Sequence, residues 1–220
     1  MNLFASIGIC LVPLFVFCII FLLYIKKLST LHLLFALLLG LIAIIPVTIV
    51  QYFIMKLPIF TTENLLSVFV ITFVFNGLIE ESLKMTTEFF LPFKKMTLGS
   101  FVVCGFLIGC AFGTFENIVY LVSGAKNISL RFFTSLILHS CCSGLSAIYV
   151  WSFKNKTPKI YCFILAVLLH GLYNFFAGSE KFWWFSIITI IYAAVRLKFS
   201  FDRLNQSTEE EIESSSQENK

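Results

Sequence analysis

The sequence predicts an all-α fold: a polytopic transmembrane helical bundle of about seven spans. Three observations lead there. Of 220 residues, 59% are apolar and 13% charged, about half the charged share of an ordinary soluble domain. The apolar residues come in long runs, and roughly 20 in a row cross a hydrocarbon core about 30 Å thick as a helix. Lysines and arginines gather in alternate intervals between the runs, as they do when loops are sorted across a membrane.

The first run, Leu3 to Tyr24, has no basic residue ahead of it, so it is expected to be a retained span and not a cleaved signal peptide. The second runs from Leu31 to Ile54. The third, Leu65 to about Leu91, is the one that carries several charges, and it runs up to Pro92. The fourth, Leu98 to Val122, contains Gly105, Gly109 and Gly113, a ridge of small residues that lets a neighbouring backbone come close. Three more runs follow: Phe132 to Phe153, Ile160 to Ala177 and Phe182 to Phe199. Trp151, Trp183 and Trp184 fall at span ends, where indoles favour the headgroup region. From Arg203 onward almost nothing is apolar, so residues 203–220 are expected to be a disordered cytoplasmic tail behind a membrane domain of residues 1–202.

Counting Lys84, Arg196 and Lys198 with the ends of their runs, the segments following the odd-numbered runs hold twelve of the 16 basic residues and the even-numbered ones four, which predicts the N-terminus outside and the C-terminus in the cytoplasm. The net charge of +4 is thereby accounted for by orientation. The chain is expected to be an integral, multi-pass membrane protein whose surroundings are the lipid bilayer, with no nucleic acid as partner. All seven cysteines lie inside apolar runs and read as small core residues.

The chemistry must then lie in the few ionisable groups at membrane depth, where a charge costs about 2.5 to 3.5 kcal/mol on insertion scales. The third run supplies Glu80, Glu81 and Lys84, the fourth Glu116, the fifth His139, and the sixth His170 and Asn174. Four successive spans each contribute to one set. Glu80 and Lys84 are four residues apart and share a helix face, with Asn76 a turn earlier, whereas Glu81 points about 100° away. His170 and Asn174 share a face by the same spacing. At about 1.5 Å per residue, Glu116, His139 and His170 lie roughly 10 to 14 Å below the outer surface and Glu80 near 25 Å, which leaves Glu80 too deep for its partners. Lys84 has a simpler reading as well, snorkelling to the cytoplasmic face beside Glu88.

Several membrane-protease chemistries are excluded. The single aspartate, Asp202, lies outside the runs, no H-E-x-x-H occurs because Ser140 follows His139, and Ser143 before Gly144 lacks the preceding glycine of a rhomboid-type site. Two readings of the residues stay open: an intramembrane hydrolase, and a transporter or proton relay built from Glu and His side chains. A catalytically silent binding or immunity protein on the same scaffold is a third.

The segments "EESLK" at 80 to 84, "FENIVY" at 115 to 120, His139 with Arg131 before it, and "HGLYN" at 170 to 174 resemble the PrsW family of intramembrane proteases. That family is related to the type II CAAX prenyl endopeptidases and bacteriocin-processing enzymes. The resemblance implies hydrolysis of a peptide bond in a membrane-anchored protein or peptide, such as an anti-sigma factor, in a bacterial cell membrane. It implies Glu80 as the base with Glu81 as its partner, His139 and His170 as assisting imidazoles, and Asn174 as an oxyanion donor, with Lys84 and Arg131 in support. The prenyl-endopeptidase branch has a histidine where this chain has Phe115 and Glu116. Glu116 is therefore either a ligand, with His139 and His170, of a divalent metal such as zinc, or a carboxylate that holds one imidazole by a hydrogen bond.

Overall fold

The computed structural model describes residues 3–25, 27–54, 56, 64–124 and 129–218; the side chains of 129–131 and 208–218 lie outside the described residues. Seven helices long and apolar enough to cross a membrane carry the fold, with no strand among the described residues. They are α1 (Leu3–Tyr24), α2 (Thr30–Ile54), α3 (Leu65–Glu88), α4 (Leu98–Val122), α5 (Ser129–Lys154), α6 (Ile160–Ala177) and α7 (Trp184–Glu218). The expected spans are all present. The last helix runs on through the polar segment, so the backbone of residues 203 to 218 continues as helix.

Local sequence explains the ends. Thr97 caps α4 in a reciprocal box with Ser100, and Asn64 accepts from the Ser67 N–H at the start of α3. At the other end of α3, the Lys154 ammonium donates to the carbonyls of Phe89 and Leu91, 2.8 and 3.4 Å away. It ties that end to α5. Pro13 and Pro46 sit inside α1 and α2, as membrane helices tolerate.

Most of α4 and α5 is buried, while the other five present large apolar faces outward. The expected glycine ridge is what brings this central pair together. A methyl group on Gly105 would run into Ala147, one on Gly109 into the carbonyl of His139, and one on Gly113 into the His139 ring. On the opposite side Gly40 of α2 packs on the Ile108 carbonyl of α4. These approaches have no side chain to spare, so Gly109→Ala is expected to destabilise the protein by at least the about 1 to 3 kcal/mol typical of overpacking. Gly8→Ala, with nothing within 4 Å of the added carbon, should leave melting in detergent unchanged. Equal melting temperatures for the two variants would show that the ridge is not tightly packed.

The middle of α3 departs from expectation. Residues Ile71–Ile79 form a π-helix between the α-helical segments Leu65–Val70 and Glu80–Glu88. Its i→i+5 bonding puts more residues into each turn and less rise between them. The depth assigned to Glu80 at 1.5 Å per residue was therefore too large. The segment packs closely on α6: Gly77 lies against the Val167 carbonyl, and Gly171 against the Phe73 ring.

Candidate active site

Glu80 and Glu81 open the last α-helical segment of α3, directly after the π-helix. Their adjacent positions send them different ways, as the helical spacing predicts. Glu80 Oε1 accepts from the Gln51 carboxamide of α2 at 2.6 Å, and its Oε2 lies 3.7 Å from His170 Nε2. Glu81 Oε1 accepts from the Lys84 ammonium at 2.5 Å and faces His170 Nδ1 at 2.6 Å. Lys84 also lies 3.2 Å from His139 Nδ1, and Glu116 Oε2 is 2.9 Å from His139 Nε2. The two imidazoles meet edge to face with centroids 4.7 Å apart. Four helices thus contribute to one bonded cluster, and Gln51 brings in a fifth.

Both imidazoles follow one pattern. A carboxylate only accepts, so the nitrogen bonded to it carries the proton. His170 donates Nδ1–H to Glu81, which leaves Nε2 turned toward Glu80. His139 donates Nε2–H to Glu116, which leaves Nδ1 beside Lys84. Each ring is thus held by a glutamate; the other nitrogen of His170 faces Glu80, and that of His139 accepts from Lys84. This is how metal-binding histidines are usually oriented. Glu80, His139 and His170 each offer a ligand atom within 4.8 Å of the others. Three such ligands with a fourth position left over match the ligand types of a catalytic zinc site, at which an ion would displace the Lys84 ammonium from His139 Nδ1. The geometry therefore favours Glu80 over Glu116 as the carboxylate of such a triad and gives Glu116 the orienting place.

Lys84 does not snorkel. It is fully buried, 5.0 Å from the Phe112 ring centroid, and belongs to the site. Glu88, a turn further on, is also fully buried, and neither of its carboxylate oxygens has a hydrogen-bond partner among the described residues. It is no surface partner. Counting Lys84 among the orienting charges was therefore mistaken, although eleven basic residues against four keep the same bias. Asn174 lies outside the bonded cluster: its amide reaches only the carbonyl of His170, at 3.4 Å, and it lines an adjoining cavity. The side chain of Arg131 lies outside the described residues. Cys141 and Cys142 are buried free thiols, like the other five cysteines. Sequence reading missed Gln51, because a neutral carboxamide near the end of an apolar run carries no sign of intramembrane chemistry.

Comparison with known proteins gives the chain a family. The chain is 27% identical over 191 residues to Protease PrsW of Clostridioides difficile (strain 630), an alignment covering 80% of this chain and 79% of that relative. No solved structure matches. The model of the PrsW family of intramembrane metalloproteases matches residues 29–198, a stretch that contains every residue of the cluster, and the chain belongs to that family.

Proposed function

We propose that the protein hydrolyses a peptide bond of a membrane-anchored protein with water activated at the Glu80, His139 and His170 centre. The observation that carries this reading is the meeting of Glu80, Glu81, His139 and His170 in one buried network, with the partly buried Glu116 at its edge. Glu81 already accepts from Lys84 and His170, so its charge is committed. Glu80 is the carboxylate placed to take a proton from water and return it to the leaving amine. The imidazoles, steadied by Glu81 and Glu116, orient the reacting oxygen, and Asn174 donates to the oxyanion that forms on the amide. A divalent metal such as zinc, if held by Glu80, His139 and His170, would polarise the amide carbonyl and make bound water more acidic, with Glu80 then serving as its ligand in place of acting as the base.

Membership of a protease family favours this reading over transport. Resemblance to the family suggests an anti-sigma factor with a single span as substrate. The lysine-rich face is read as cytoplasmic, which puts the C-terminus and the polar segment from 203 inside. Arg131, close to the outer end of α5, is kept as a supporting residue.

Co-expression with a tagged single-span anti-sigma factor tests the proposal. Wild-type protein is expected to release a shortened fragment, and His170→Ala, at equal membrane abundance, none. Elemental analysis of the purified protein should find about one metal per chain, with His139→Ala and His170→Ala each losing most of it, and a chelator should stop cleavage. Cleavage that survives His170→Ala would refute the assigned centre. Full activity without bound metal would refute the metal alone.

A further inference from the structure

Beside the bonded cluster lies a cavity of about 220 Å³ whose wall includes Gln51, Thr72, Asn76, Tyr120, Asn174 and Gly178. Two features set its chemistry. No charged side chain is among its described lining residues, and three carboxamides, one each from α2, α3 and α6, face it. A carboxamide offers one acceptor oxygen and two N–H donors, the complement of a peptide unit's own N–H and C=O. The cavity also leads to the reacting groups: Gln51 donates to Glu80, and Asn174 follows His170 by one turn.

Its polar groups limit what can pair there. A helical substrate satisfies most of its backbone N–H and C=O groups internally, whereas an extended chain presents them to the three carboxamides. A charged side chain would lose its water with no opposite charge in the lining to meet it, a costly exchange. We infer that this cavity is the subsite for an extended, uncharged stretch of polypeptide next to the scissile bond, with Gln51, Asn76 and Asn174 pairing with its backbone. The inference rests on the proteolytic reading and adds the conformation and charge of the substrate. The π-helix suits the role, since it presents Thr72 and Asn76 to the cavity from the stretch leading straight into Glu80.

The test uses the full chain in detergent with a peptide library made by digesting a bacterial proteome, and mass spectrometry to locate every cut. Wild-type protein should cut where Asp, Glu, Lys and Arg are depleted about tenfold or more at one or two positions on one side of the bond, a factor within reach of pocket discrimination. Asn76→Asp should admit Lys or Arg at one of those positions. Asn76→Ser, neutral and smaller, should keep the exclusion of charge and admit bulkier residues, which covers the case in which the aspartate variant does not fold. If wild-type protein cuts, Glu80→Gln does not, and flanking preferences match the library or are unmoved by the Asn76 variants, the subsite is wrong and the protease reading stands. If wild-type protein cuts neither the peptides nor the tagged single-span protein, and Glu80→Gln behaves identically, both fail.

Discussion

Glu80→Gln is expected to lower the cleavage rate by about a hundred- to ten-thousandfold, the usual contribution of a positioned base, while the protein stays folded. Glutamine has nearly the same shape, so the packing around a buried side chain is kept. It removes a negative charge from a site that already holds Glu81 and Glu116, which spares the fold an electrostatic cost. What it removes from the chemistry is the one carboxylate that faces both the Gln51 amide and the open side of His170. Glu81→Gln should act differently. It takes the partner from Lys84 and from His170 Nδ1 together, so stability should fall along with activity. Cleavage assays paired with thermal melting in detergent separate the two. A folded Glu80→Gln protein that cuts at the wild-type rate would end the assignment of Glu80.

The second large effect concerns Lys84. Its ammonium is fully buried between Glu81 and His139, and removing one partner of a buried pair leaves the other charge uncompensated, at about 3 to 5 kcal/mol. Lys84→Met should therefore lower the melting temperature by roughly 10 °C, taking about 2 to 4 °C per kcal/mol for a chain of this size. The double variant Lys84→Met with Glu81→Gln removes both charges and should recover most of that loss without recovering activity, because His170 has still lost its orienting carboxylate. If the double variant melts no higher than the single one, the pair is not what Lys84 is there to balance.

The span count was legible because crossing a bilayer requires a long apolar run, and few other structures need one. Convergence of Glu80, Glu81, Glu116, His139 and His170 was legible for a related reason: ionisable groups in lipid must face inward, and successive spans are neighbours. What sequence did not carry was the division of labour. Whether Glu80 or Glu116 joins the imidazoles depends on which ring nitrogen each approaches, a matter of about 1 Å that spacing along a helix does not resolve. Lys84 was ambiguous because a lysine near a span end snorkels as readily as it pairs, and only its burial decides. The π-helical stretch left no signature of its own: it lies where Gly77 and Gly171 let α3 and α6 press together, and single glycines in apolar runs do not mark a change of winding. The end of α7 was hidden because the polar residues after Arg203 carry no apolar stripe to mark a helix.

That widely wound stretch of α3 also has a mechanical meaning. A π-helix holds spare length, and the point where it gives way to ordinary winding can move along the chain by exchanging one backbone bond for its neighbour. Each such exchange twists the segment ahead of it while the segment behind stays still. In α3 such an exchange would turn residues 65–70 relative to Glu80 and leave the Lys154 ties at the far end in place. Glu80 stands at one end of this widely wound stretch, and the α3 part of the cavity wall, with Thr72 and Asn76, lies within it.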